Sequence, residues 1–278
     1  MNFTWSPEQE PPPVAITPAG WVRAGLRGAV LTTILAAGVG ATLVLRLAEK
    51  PLNGAARPWT PFITQWVSRM VFVVLRMRHE TVGERMALPG AVVANHATWL
   101  DIFSLNACER VYFVSKSEVA GWPGVGYLAR MVGTVFIARD RRQARTQRQI
   151  FEERLSAGHK LLFFPEGTST DGLRVLPFKS TLFEAFFNDG LRRNTHIQPV
   201  TVVYEAPPGR DPRFYGWWGD MDLGPHLLQV LAERRNGAVR VIHHAPVGVA
   251  GFDGRKALAR HLEAAVRAGM PPDRQGAS

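Results

Sequence analysis

Two residues with complementary acid–base chemistry stand close together early in the chain. Asn95 and His96 follow the apolar run Ala91 to Ala94, and Asp101 lies five residues beyond His96. On a regular helix five residues turn through about 140°, so the two side chains cannot share a helical face. His96 is therefore expected on a turn and Asp101 in the first turn of the helix that follows. From there the carboxylate can reach back to one imidazole nitrogen and leave the other free to take a proton from an attacking alcohol. The same residues also fit a plain capping box built on Thr98 and Asp101, with His96 an ordinary loop histidine.

Three further segments carry polar groups at the ends of apolar runs. Arg139 follows GTVFIA, where a guanidinium could hold an anionic head group at the carboxyl edge of a sheet. LLFFPEGTST brings Phe164, Pro165, Glu166, Gly167 and Thr168 to the end of another run. Gly167 allows a close backbone turn with exposed amide N–H groups, and Glu166 could hold a substrate hydroxyl or pair with Arg139. Pro199, inside the apolar run Ile197 to Val200, is expected at a sheet edge or a bulge.

Other chemistries fit less well. Gly167 to Asp171 nearly spells a serine-hydrolase elbow, but Asp171 stands where the strained turn needs glycine. Cys108, the single cysteine, sits among apolar neighbours and reads as a small core residue; no disulfide or thiolate metal cluster is possible within the chain. His243 and His244 adjoin in a strand and face opposite sides, so no metal is expected. The formal charge of +10 favours an acidic partner. Arg139, Arg141, Arg142, Arg145 and Arg148 form a basic run, yet no nucleic-acid fold motif accompanies it, so it is read as a docking surface for an acidic carrier protein or anionic lipid.

The elements that must position these residues can be sketched. Residues 1–20 form a Pro-rich arm and 271–278 a frayed tail. Residues 21–80 read as membrane-associating helices: no charge falls between Gly28 and Leu45, and Trp66 to Arg78 interleaves Arg with apolar residues as an interfacial helix does. Residues 81–270 alternate short apolar runs with amphipathic ones, predicting an α/β domain with a mainly parallel mixed sheet flanked by helices. Strands are predicted at 91–94, 111–115, 134–138, 160–164, 197–204 and 239–244. Helices are predicted after Thr98, Pro123, Arg139, Phe178, Asp222 and Asp253.

His96 with Asp101, Phe136 to Arg139, Phe164 to Thr168 and Gln198–Pro199 resemble, in order and approximate spacing, the four motifs of the glycerolipid acyltransferases, the 1-acylglycerol-3-phosphate acyltransferase (PlsC-like) family. The segment from Lys116 to Gly126 is also similar to the family's stretch between its first two motifs. The resemblance implies that His96 and Asp101 are catalytic, that Arg139 and Glu166 through Thr168 contact the acceptor, and that Lys116 belongs to the same site. Lys179 stands in Phe178–Lys179–Ser180–Thr181 where many members have a Lys-Gly step, and is carried over as a head-group ligand. The family also implies a lysolipid acceptor, an acyl carrier protein or coenzyme A thioester as co-substrate with no further cofactor, and an inner-membrane enzyme facing the cytoplasm. Tyr215 to Leu231 resembles a branch that acylates lysophosphatidate or lyso-ornithine lipid, and the reading leans to the latter.

Overall fold

The computed structural model describes Trp5 and residues 15–54, 56–122, 124–137 and 144–275. The chain opens with a helical hairpin. α1 (Pro18–Asn53) starts where Thr17 accepts the Gly20 N–H at 3.1 Å, with Pro18 in the first turn, where a missing N–H is harmless. α2 (Thr60–Leu75) has no capping side chain of its own. Glu49 of α1 performs that task, accepting the Trp59 N–H at 2.7 Å, the Thr60 N–H at 3.0 Å and the Thr60 hydroxyl at 2.7 Å.

The remaining chain builds one sheet. Its strands are β1 (Arg78–Val82), β2 (Gly90–Ala94), β3 (Tyr112–Lys116), β4 (Val135–Ile137), β5 (Leu161–Phe163), β6 (His196–Glu205), β7 (Ala238–His243) and β8 (Val247–Gly248). The spatial order is β1-β7-β6-β2-β5-β3-β4, with β8 also pairing β6. β6, β2, β5, β3 and β4 run parallel, whereas β7 and β8 pair β6 antiparallel. This is the mainly parallel mixed sheet expected from the alternation of apolar runs.

Helices cover both faces. Alternating residues of β2 divide between two cores, as a period of two requires: Val92 and Ala94 pack with Phe72, Leu75, Leu105 and Val230 on one side, Ala91 and Val93 with Phe151, Phe183, Phe186 and Leu262 on the other. The first layer holds α2, α3 (Asp101–Cys108) and α7 (Leu223–Ala232) beneath α1; the second holds α5 (Ala144–Ser156) and α8 (Arg255–Ala268). Short helices α4 (Val125–Met131) and α6 (Asp189–Arg192) fill connections.

Several sequence expectations are corrected. β1 begins at Arg78, inside the stretch read as helical, because α2 stops at Leu75. The helix expected after Phe178 is a 3₁₀ segment, Ser180–Phe187. Pro199 is not on an edge: β6 is central and Pro199 pairs Val93 of β2. Its missing N–H is tolerated because, on the other side, it falls between the β8 and β7 pairings, where its carbonyl accepts the His244 N–H at 3.0 Å. The tail is held as far as Gln275, with Arg274 donating to the Tyr204 carbonyl at 3.3 Å and Gln275 to that of Met270 at 2.9 Å.

Candidate active site

The parallel strands end at one edge of the sheet, and the motif residues leave from that edge. His96 follows β2, Phe164 to Thr168 follow β5, and Lys116 closes β3. The register places Lys116 beside Ile137, the last described residue of β4; Arg139 and its neighbours Arg141 and Arg142 lie outside the described residues. An open α/β sheet places its ligand at this carboxyl edge.

The turn after β2 is locked before the helix begins. The Asn95 side chain takes the place of a strand partner, donating to the Val202 carbonyl at 2.9 Å and accepting the Val202 N–H at 2.8 Å. The carbonyls of the next two residues are held from the far side, His96 by the Thr170 N–H at 2.9 Å and Ala97 by the Trp217 N–H at 2.8 Å. Phe164 stacks on the imidazole with centroids 4.0 Å apart and planes 9° off parallel. The ring can neither slide nor rotate without breaking this contact.

Asp101, fully buried, meets that ring. His96 Nδ1 donates to Asp101 Oδ2 at 2.7 Å, and the same oxygen accepts the Ala97 and Thr98 N–H groups at 2.8 and 3.0 Å. The other oxygen, Oδ1, accepts the Tyr204 hydroxyl at 2.8 Å. Capping and imidazole orientation are therefore both served by one carboxylate. The proton sits on Nδ1, since Asp101 can only accept from it, and Nε2 presents its lone pair. His96 keeps 20% of its side-chain surface exposed while Asp101 keeps none.

Glu166 is turned toward the backbone. One of its oxygens accepts the His96 N–H at 2.7 Å and the other the Leu176 N–H at 2.8 Å, with 1% of the residue exposed. Both oxygens thus serve backbone N–H groups, which positions the His96 backbone; the pairing expected with Arg139 lies outside the described residues. Burial pushes its carboxyl up to about 8, against the pull of the two N–H groups. Gly167 beside it adopts φ 72°, and the Lys179 ammonium lies over its Cα, 2.7 Å from where a Cβ would stand. The Lys179 N–H is bonded to the Pro165 carbonyl at 2.9 Å, so Lys179 and the Glu166–Thr168 turn form one unit. Gln198 is buried and structural: it accepts the Met86 N–H at 2.8 Å and donates to the Glu84 and His244 carbonyls, both at 2.8 Å.

Cys108 is remote from this edge, at the end of α3, and burial pushes its thiol up to about 11. It is no nucleophile at neutral pH. Among the described residues, no group of three or more His, Cys, Asp and Glu side chains is placed to hold a metal ion.

Residues 78–203 match the family described as Acyltransferase. The lyso-ornithine lipid O-acyltransferase of Rhodobacter capsulatus is 55% identical over 266 residues, 96% of each chain. The chain belongs to this acyltransferase family. A 1-acyl-sn-glycerol-3-phosphate acyltransferase of Neisseria meningitidis is 31% identical over 66% of the chain and 69% of its own length. The crystal structure of the 1-acyl-sn-glycerophosphate acyltransferase PlsC from Thermotoga maritima shares the fold, with a TM-score of 0.64 over 90% of this chain and 95% of that one, at 22% identity.

The acyltransferase has site residues that sequence spacing did not single out. Tyr204 is near the end of β6, 103 positions from Asp101, and the β2–β6 pairing brings them together. Trp5 of the N-terminal arm meets the turn after β5: its N–H lies 3.4 Å from Thr168 Oγ1, its ring stands edge-on to Trp218 at 5.9 Å, and the Arg174 guanidinium lies 5.0 Å from its centroid. Its place among the aromatics of a Pro-rich arm, Phe3 and Trp5, gave no spacing signal for it.

Proposed function

We propose that this acyltransferase esterifies the free hydroxyl of lyso-ornithine lipid, with His96 as general base and Asp101 as the group that orients it. The identity of 55% across 96% of a relative named for that acceptor carries the substrate reading. The His96–Asp101 geometry supports the chemistry. The acceptor O–H proton passes to His96 Nε2 as the oxygen attacks the thioester carbonyl carbon. The C–S bond then breaks, and the proton returns from Nε2 to the departing sulfur, leaving ester and free thiol. A thioester is already activated, so no covalent enzyme intermediate is required.

The donor is a thioester of acyl carrier protein or coenzyme A. The acceptor's anionic group is held by Arg139, with Lys116, Thr168 and Lys179 at the same sheet edge. Lysophosphatidic acid is a second acceptor, a reading favoured by the Neisseria relative named for that substrate class. The enzyme works on the inner face of the cytoplasmic membrane. Supporting this, α1 is long and apolar enough to cross a bilayer and turns Val22, Leu26, Val30, Leu43 and Leu47 outward.

The test is an acyl-transfer assay offering both lysolipids with both donors in parallel. His96→Ala should lower turnover by about a hundredfold to ten-thousandfold. A folded variant retaining half the wild-type rate would remove His96 from the mechanism, and transfer to lysophosphatidic acid alone would overturn the acceptor.

A further inference from the structure

On the β1 side of the sheet, with β7 between it and β6, the end of α2, the start of β1 and the last turn of α3 line an open cavity of about 380 Å³. Its floor is apolar, made by Phe72, Val73 and Met77, and its rim carries Arg69, Arg76 and Arg78. Ala107, which lines it, is six residues beyond Asp101, about 9 Å along α3. The volume lies within the range of small-ligand sites, about 300 to 1,000 Å³.

The three arginines are not equivalent. Arg78 is shared between Glu80 at 3.0 Å and Glu205 at 3.2 Å. Arg69 donates Nε to the Ala107 carbonyl at 3.0 Å, which fixes the plane of its guanidinium and leaves the terminal nitrogens for another acceptor. Arg76 has no side-chain partner among the described residues, and its backbone is costly. α2 closes with the Met77 N–H on the Phe72 carbonyl at 3.0 Å and the Arg76 N–H on that of Val73 at 3.1 Å. That turn places Arg76 at φ 53°, a position at which glycine is usual. A guanidinium has thus been kept at the rim against local backbone preference.

The same face of α2 says what kind of anion fits. Moving from Arg76 toward the helix start, Val73, Arg69, Trp66, Phe62 and Trp59 recur at spacings of three and four, and the apolar members are exposed by 63% (Val73), 49% (Trp66), 54% (Phe62) and 40% (Trp59). Basic groups at one end and interfacial aromatics along the rest match a phosphate with apolar chains attached, and a free phosphate would leave the aromatic stripe without a role. We propose that this cavity binds the phosphate of an anionic phospholipid that is not a substrate, and so seats α2 on the bilayer.

The experiment is flotation of the full chain with vesicles of phosphatidylcholine, with and without phosphatidylglycerol. Arg69→Gln with Arg76→Gln should weaken partitioning to the anionic vesicles about thirtyfold and leave binding to neutral ones unchanged. Lys256→Gln with Arg260→Gln removes the same charge from α8, across the sheet, and should cost less than threefold. Equal losses in the two double variants, or none in the first, would overturn the site in favour of diffuse attraction. Arg76→Gly separates binding from folding: it relieves the left-handed backbone, so its melting temperature should rise while anionic binding falls about fivefold. Inorganic phosphate alone at millimolar concentration should not raise the melting temperature. Stabilisation that disappears in Arg76→Gly would show a free-phosphate site and overturn the lipid assignment. Acyl transfer to a soluble short-chain acceptor should be unchanged in Arg76→Gly, so this result stands apart from that of the catalytic test.

Discussion

Asp101 shows how a single buried carboxylate can be satisfied and aimed. It takes three N–H donors on Oδ2 and a hydroxyl on Oδ1, so each oxygen is satisfied without water. Tyr204 is the one donor that comes from a distant strand, and burial together with the Asp101 charge holds its hydroxyl firmly protonated. Tyr204→Phe removes a hydrogen bond to a charged group, worth roughly 1.5 to 3 kcal/mol, part of which now holds the dyad in line. The expected result is a lower melting temperature and a roughly tenfold fall in kcat with KM for the acceptor unchanged; a KM effect alone would place Tyr204 in binding instead. Glu166 makes a prediction of opposite kind, because its carboxyl is raised to about 8 from an ordinary 4.5. Between those values the folded state holds a proton that the unfolded chain has released, so stability falls as pH rises and levels off above about 8. Thermal melting from pH 5 to 9 should show this slope in the wild type and its loss in Glu166→Gln. That variant is also about 1 to 3 kcal/mol less stable, since its amide NH₂ meets an N–H donor. Identical slopes would mean that Glu166 is ionised throughout.

The hairpin of α1 and α2 depends on an arrangement that neither helix contains alone. Glu49 satisfies the start of α2 through three hydrogen bonds and pairs Arg46 at 3.2 Å, all from a fully buried position. Glu49→Ala leaves those donors unmet and should cost about 2 to 3 kcal/mol, concentrated in the hairpin. Limited proteolysis between residues 54 and 59 should accelerate well before the α/β domain unfolds; simultaneous loss of both would show a single cooperative unit. Such a cap was not legible in the sequence, where Glu49 sits in a charged triplet with Lys50 and Arg46 nearby. The strands were, because β2 and β5 are buried and read as unbroken apolar runs, and β6 as a buried run interrupted only by Gln198 and Thr201 between Ile197 and Tyr204. β1 was missed because Arg78, His79 and Glu80 are polar and it occupies an edge. At the site, local spacing exposed the His96–Asp101 pair, whereas nothing in the motif of Glu166 announces that the Leu176 and His96 N–H groups will close over it. Pro199 was half legible: it lies on no edge, but the pairing opposite it slips by one residue between Val200–His243 and Ile197–Val247, where β7 ends and β8 begins.

At the scale of the molecule, α1 poses the question of how an acyltransferase reaches its lipid. With 36 residues it is about 54 Å long, well beyond the roughly 30 Å of a hydrocarbon core. Yet it is fastened to the domain along its length. Near the start, Arg27 donates to the carbonyls of Leu231 at 2.9 Å and Glu233 at 2.6 Å; midway, Gly38 packs against Val67 of α2. Past the end, Arg57 donates to the Met131 carbonyl at 3.2 Å and His159 Nε2 to that of Ala56 at 3.2 Å. A helix crossing the bilayer would have to break one set of these bonds or draw the domain into the lipid, and the buried polar groups left behind would cost several kcal/mol. The outward residues Trp21, Leu26, Val30, Leu43 and Leu47 instead suit a helix lying in one leaflet with the catalytic edge kept close to the surface. Cysteines placed at the two exposed ends, Ala19→Cys and Lys50→Cys, should therefore both react with a membrane-impermeant maleimide from the side that bears the domain, while Cys108 stays unlabelled within the core. Labelling of Ala19→Cys only after the vesicles are opened would show that α1 spans the membrane and that its contacts with α7 give way there.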